Sequence, residues 1–188
     1  MLDAATRLFA EHGWAGTGMR DVARAAGVSV ETVYANFGSK PDLLLAAIDV
    51  AVVGDTDAVP LGERPEFVQL GQGKAADGAR AAARLVRGIH ERTYGIGKAL
   101  REGASGDHDL AKRLVEGEAR RRVDVEQGAQ LVAGRPISVT ERDGLWAVLG
   151  MEVFQLLVER AGWSAARYEE WLADTIGRLL RLDGMEEP

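Results

Sequence analysis

Tyr34, Asn36 and Lys40 each end in a hydrogen-bond donor, and they follow one another closely along the chain. Donors of that kind suit phosphate oxygens. Just ahead of them, Val30, Glu31 and Thr32 offer methyl groups, a carboxylate and a hydroxyl. The methyls can meet a thymine methyl, and the hydroxyl can bond to a base or a phosphate. Glu31 has two roles open to it: accepting from a cytosine amino group, or offsetting a helix dipole, of which the second is favoured. Arg20 adds a cation for a base or backbone contact. Its alternative is a surface ion pair with Asp21 or Glu11.

Those groups need two helices to hold them. Thr17 can cap a helix whose Val22, Ala23 and Ala26 share one face, and it is counted with the DNA-facing set. Gly27 supplies the permissive backbone that ends this helix. Ser29 caps the next, whose buried face is marked by Val33 and Phe37, so that Val30, Glu31, Thr32, Tyr34 and Asn36 point outward. Two helices joined by a glycine turn, the second presenting a polar face, form a helix-turn-helix able to enter a major groove.

The stretch from Leu2 to about Val53 resembles the DNA-binding half of the TetR family of transcriptional regulators. LDAATRLFAEHGWAGT is similar to the family's first helix and turn, MRDVARAAGVS to its second, VETVYANF to its recognition helix and GSKPDLL to the start of its connecting helix. The resemblance implies phosphate contacts from Tyr34 and Lys40. Asn36 stands where His or Tyr is commoner, with a shorter reach. Gly18 replaces a frequent Thr or Ser and removes one hydroxyl. Family members usually carry an N-terminal arm, often basic; the sequence starts at the first helix, and weaker DNA binding is expected on that account.

The 188 residues carry a net charge of −6 and no cysteine. A generic polyanion binder shows a basic excess instead. Residues 1–53 hold four cations against six carboxylates, so DNA affinity has to come from a few placed groups, helix N-termini and doubling by a dimer. Without cysteine there is no disulfide and no thiolate chemistry, which suits a reducing cytoplasm. No apolar run is long enough to suggest a membrane span or signal peptide.

The remainder reads as helical throughout. Ser39 caps a helix through Leu43, Leu44, Ala47, Ile48 and Ala51 to about Gly54. Residues 54–73 form a connection with at most one short helix around Glu66 to Leu70. Long helices are then expected over Ala79–Glu102, Leu110–Ala133, Val139–Ala161 and Ser164–Leu182. The expected fold is therefore all-α: an N-terminal three-helix helix-turn-helix domain (1–53), joined by a connecting helix to an antiparallel helical domain for ligand binding and dimerisation (54–188).

In that second part the resemblance implies a small-molecule pocket and a dimer interface. Polar or aromatic residues on apolar faces make His90, Arg92, Tyr94, Trp146, Met151 and Phe154 the pocket candidates, each with an ordinary core role as its alternative. Val153, Leu157, Tyr168, Trp171, Leu172, Thr175 and Leu179 are the candidates for a four-helix dimer interface. The run Arg120 to Arg122 has acidic neighbours at helical spacing and reads as a solvated ion-pair face. Enzyme chemistry finds little footing, because His12, His90 and His108 lie in different elements and no phosphate loop or nucleophile elbow is present. A helical adaptor would need an apolar outward face where this chain is polar. The expected function is a sequence-specific transcriptional regulator, most simply a homodimeric repressor of a palindromic operator released by a small effector, with no cofactor, metal or membrane partner.

Overall fold

The computed structural model describes residues 1–182, and among these every regular element is helical. The chain divides into two compact units. One comprises Met1–Asp57 with Arg92–Gly117, the other Ala58–Glu91 with Glu118 onward.

The first unit starts with α1 (Leu2–His12), α2 (Met19–Ala26), α3 (Val30–Phe37) and α4 (Lys40–Val53). Local chemistry sets the boundaries. Gly27 takes a left-handed φ of 69° and lets the chain leave α2, while the Val28 N–H returns to the Ala23 carbonyl at 3.0 Å. Ser29 Oγ accepts from the Thr32 N–H at 3.1 Å, and Ser39 Oγ accepts from the Asp42 N–H at 3.2 Å. Pro41, at the second position of α4, lacks only a donor that would have gone unused. Ala5, Phe9, Val22, Val33, Leu43, Leu44 and Ala47 then close into one core.

Two long helices contribute to that core. The second half of α6 (Ala75–Ala104) supplies Ile96, Ala99 and Leu100, and the start of α7 (His108–Ala133) supplies Leu110. The approach of α6 is close because Gly95 faces Ala10: a Cβ on Gly95 would lie 2.6 Å from the Ala10 Cβ. Arg92 donates to the carbonyls of Ala51 and Val52, at 2.9 and 3.0 Å, and so satisfies the open end of α4.

The second unit starts at Ala58, and the connection expected over residues 54–73 holds more helix than one short piece: a 3₁₀ turn at Leu61–Glu63, α5 (Pro65–Val68) and a second 3₁₀ turn at Gln69–Gly71. The first part of α6 and the rest of α7 follow. The single helix expected over Val139–Ala161 is interrupted. It starts with a capping box between Ser138 and Glu141, runs as α8 (Val139–Val148), and breaks at Leu149–Gly150. Gly150 is extended (φ −76°, ψ 150°), and the chain resumes as α9 (Met151–Phe154) and a π-helical segment, Gln155–Arg160. Helical periodicity missed this break because its cause is distant: Arg121 on α7 donates to the Trp146 and Leu149 carbonyls, which replaces the lost ladder bonds. α10 (Ala165–Leu179), capped by Ser164, closes the unit with Tyr168, Leu172 and Ile176 buried.

The Arg120–Arg122 run is more than a solvated face. Arg121 pairs with Glu118 at 2.8 Å, and Arg122 reaches Asp143 on α8. No helix among the described residues is long and apolar enough to cross a membrane.

The Gly95–Ala10 approach gives a stability prediction. Gly95→Ala gains about 1 kcal/mol in helix propensity, yet it drives a methyl into the α1 backbone at an overpacking cost of about 1–3 kcal/mol. Chemical denaturation is expected to register a net loss, and a gain would mean α1 and α6 separate freely.

Candidate nucleic-acid interface

α3 turns one side inward. Val33 is fully buried, Val30 and Phe37 pack on the same core, and Glu31, Thr32, Tyr34, Ala35 and Asn36 face solvent. The Tyr34 ring is half exposed at 51%, with its hydroxyl end available. Val30 therefore needs correcting: it was expected to point outward, but it belongs partly to the core. A first-turn residue packs back over the turn that precedes its own helix, and Val28 of that turn leans on the same core as Val30.

The polar residues of α3 partly serve the helix itself. The Thr32 hydroxyl lies 3.0 Å from Ser29 Oγ, and Asn36 Nδ2 donates to the Thr32 carbonyl at 2.7 Å. Asn36 keeps its second amide hydrogen and its oxygen for other partners. The Glu31 carboxylate folds back on its own backbone N–H and on Ser29, and these bonds hold it below the usual carboxylate range. That geometry favours the dipole-offsetting role over base reading.

Thr17 is a second correction. It is almost fully buried, its hydroxyl donates to the Leu8 carbonyl at 3.0 Å, and it is too deep to touch a nucleic acid. The cap of α2 is Gly18, whose N–H is accepted by Asp21 at 3.0 Å. The acidic residue three positions on thus satisfies the N–H of the cap residue itself, the half of a capping box that needs no hydroxyl.

Lys40 is half-buried. Its ammonium donates to the Trp14 carbonyl and lies 4.0 Å from the centroid of the Trp14 ring. Desolvation lowers its pKa, with Glu102 acting in the opposite sense. Its charge is therefore engaged within the unit before any phosphate arrives. Arg20 shows the opposite behaviour. It is exposed, and its two expected partners are occupied: Asp21 faces Arg24 at 3.5 Å and Glu11 faces His12 at 3.9 Å. Arg24 stands one turn after Arg20 on the same face of α2, with 80% of its side chain exposed. Sequence reasoning counted Arg24 only as charge, although its four-residue spacing from Arg20 was the available signal.

An exposed polar face on α3, preceded by a helix that exposes Arg20 and Arg24, has the form of a helix-turn-helix reading surface. Residues 1–47 match the family of "Bacterial regulatory proteins, tetR family". Over these residues the chain is similar to the DNA-binding segment of TetR-family regulators. No curated protein matches it in sequence. Solved structures resemble its fold: a transcriptional regulator from Rhodococcus sp. shares 19% identity with a TM-score of 0.65, over 96% of this chain and 94% of that one. A Mesorhizobium loti protein named for the TetR family shares 20% identity with a TM-score of 0.67, over 96% and 93% of the two chains. At such identities the likeness establishes the fold alone.

The pocket candidates fall into both units. Arg92 and Tyr94 belong with the DNA-binding helices, where Arg92 closes α4 and Lys98 lies 4.9 Å from the Tyr94 ring. This corrects Arg92: its guanidinium serves a helix end. His90, Trp146, Met151 and Phe154 belong to the other unit. There His90 is buried between Phe154 and Tyr168, with ring centroids 5.4 and 6.0 Å away. A backbone bond to Leu149 engages one ring nitrogen, so Nδ1 accepts the Tyr168 hydroxyl at 3.0 Å. The Trp146 ring lies 5.1 Å from the Arg121 guanidinium, and its indole N–H is buried without a partner. A shallow groove of about 270 Å³ between α6 and α10 is lined by Arg80, Arg84, Glu169, Glu170 and Asp174, and by none of the six candidates.

Tyr168 and Leu172 also need correcting. Both are fully buried within one chain, so they complete its core and leave no surface for a partner. Val153, Leu157, Trp171, Thr175 and Leu179 are only partly buried.

His90 makes stability depend on pH. Burial pushes its pKa down to about 4 from the ordinary 6.5, with Arg121 adding to the depression. The folded state resists protonation while the unfolded chain accepts it, so stability is fully present above pH 6.5 and falls as pH drops toward 4. Across that window the loss amounts to about 3 kcal/mol. Urea unfolding at pH 7 and pH 4.5 is expected to show this loss in the wild type and a much flatter dependence in His90→Gln, compared slope against slope.

Proposed function

We propose that this protein is a homodimeric repressor that occupies a palindromic operator and leaves it when a small molecule binds. The observation that carries the reading is the division of α3 into a buried Val33 side and an exposed side bearing Thr32, Tyr34 and Asn36. In this reading residues 1–53 bind DNA and residues 54–188 sense and dimerise, in the cytoplasm and without a cofactor. Tyr34 and Asn36 contact phosphates, Arg20 contacts a base or the backbone, and Thr32 touches base edges at the N-terminal end of α3. Glu31 keeps its helix terminus neutral, and Lys40 approaches the phosphates from its place over Trp14.

A net-negative chain gains from binding as a dimer, because two weak half-site contacts combine through effective concentration. Partly buried residues on α9, the π segment and α10 (apolar Val153, Leu157, Trp171 and Leu179, with Thr175), together with the exposed Leu156, suit such a partner surface. An effector held by residues such as Trp146, Met151 and Phe154 would act through α6, one continuous helix that supplies residues to both units. Release follows if the two recognition helices depart from a spacing of one DNA turn, roughly 34 Å.

Binding to DNA from the protein's own upstream region tests the reading. Wild-type protein is expected to retard that fragment with salt-dependent affinity. Tyr34→Ala and Arg20→Ala should each weaken binding, the first across all sequences with the salt slope unchanged, the second with a salt slope smaller by about one. Absence of retardation on any genomic fragment would end this account. A thermal-shift screen against small molecules identifies the effector class by the ligand that raises the melting temperature.

A further inference from the structure

The turn between α1 and α2 is held from outside the helix-turn-helix. Glu102, on the last turn of α6, accepts the Trp14 N–H at 2.8 Å and the Ala15 N–H at 3.1 Å. On the opposite side of the same residue, the Trp14 carbonyl accepts Lys40 of α4. The Trp14 ring stacks on Phe9 with centroids 6.1 Å apart and lies beneath the Lys40 ammonium. One short peptide segment therefore ties together α1, α4 and α6.

Two further features mark this arrangement as a built socket. Gly13 has φ 70°, and a Cβ there would lie 2.6 Å from Glu102 Oε2, so the segment makes room for the carboxylate as well as donating to it. Gly103 then lets α6 approach the indole: a Cβ at that position would come within 2.9 Å of Trp14 Cδ2. The second feature is a broken local rule. A carboxylate in the last turn of a helix opposes the helix dipole, where a cation is favoured. Residues that break such rules are offset elsewhere, and here the offset is a pair of charge-assisted bonds to consecutive backbone amides. Glu102 is itself exposed, so its presence answers no packing need.

Resting on the DNA-binding reading above, we propose that Glu102 is a positioning residue for DNA recognition. Its carboxylate fixes the Trp14 turn, and through the Trp14 carbonyl and its own attraction for Lys40 it sets where the Lys40 ammonium stands relative to the phosphates. Lys40 then contacts DNA only from a location that α6 dictates. Residues of the helix-turn-helix thus depend on a side chain some ninety positions further along the chain (|i−j| is 88 for the Trp14 bond).

The experiment measures DNA affinity of the full chain and of Glu102→Gln, Lys40→Met and the double variant, with circular dichroism and amide hydrogen exchange on each. Glu102→Gln keeps one acceptor oxygen and loses the charge, and it is expected to bind the upstream fragment about fivefold more weakly. The Trp14 and Ala15 amides should exchange faster, and the loss should shrink in the Lys40→Met background, since both changes act through one cation. Wild-type affinity in Glu102→Gln, alongside faster amide exchange, would reduce Glu102 to a turn stabiliser and overturn the proposal. So would a loss fully explained by a smaller folded fraction, or losses that simply add in the double variant. If Glu102→Gln does not fold, Glu102→Asp serves instead: it keeps the charge but falls a methylene short of the amides. Failure of the wild type to bind any DNA would defeat the underlying reading, whereas a wild type that binds beside an unaffected variant defeats this inference alone.

Discussion

Burial of Val33 in the core shared with Val22, Ala23, Leu43 and Leu44 is the constraint on which the reading surface depends. A helix of eight residues is too short to be stable by itself, so its orientation is set by what its apolar side finds. A fully buried valine contributes about 1.5–3 kcal/mol, comparable to a large share of a domain's net stability. Once Val33 is inside, with Val30 and Phe37 leaning on the same core, Thr32, Tyr34 and Asn36 can only face outward. Gly27 and Ser29 keep the turn between α2 and α3 short, and α2 carries Arg20 and Arg24 one helical turn apart.

Electrostatics then shapes how such a surface can work. The chain is net negative, and even the DNA-binding helices hold more carboxylates than cations. Several of these charges are already matched. Glu31 satisfies its own helix terminus, Asp21 serves the cap of α2, and Lys40 lies over Trp14. Of the two exposed cations of α2, Arg24 faces Asp21 and Arg20 is left to meet a ligand. Affinity under these conditions rests on positioning: a small number of donors, held accurately, has to replace a diffuse basic field.

The second unit shows how distant side chains reshape a helix that local sequence would continue. Gly150 permits the break between α8 and α9, but the carbonyls it exposes would be costly without partners. Arg121 supplies them from α7, and a buried, uncharged His90 bonds to Leu149 on one side and Tyr168 on the other. The π segment that follows accommodates the register change. Polar groups inside this unit therefore serve the helix break, which is why histidine and tyrosine on apolar faces turned out to be core residues.

The sequence by itself determined what depends on near neighbours. Ser29, Ser39 and Gly27 announce helix ends through bonds that span three to five residues, and the 3.6-residue period separates Val33 from Tyr34 and Asn36. Those features sufficed for an all-helical chain, a helix-turn-helix at its start and most of the outward-facing residues. The tertiary structure decided what each remaining polar side chain is for. Lys40 meets a carbonyl 26 residues away, Arg92 one 41 residues away, and His90 a hydroxyl 78 residues away. Thr17 goes inward to Leu8, and Tyr168 and Leu172 vanish into the core of their own chain. Periodicity says which residues share a face, but a donor or a ring takes its role from whatever packing brings opposite it. That partner is chosen by the fold of the whole chain, and no local pattern records it.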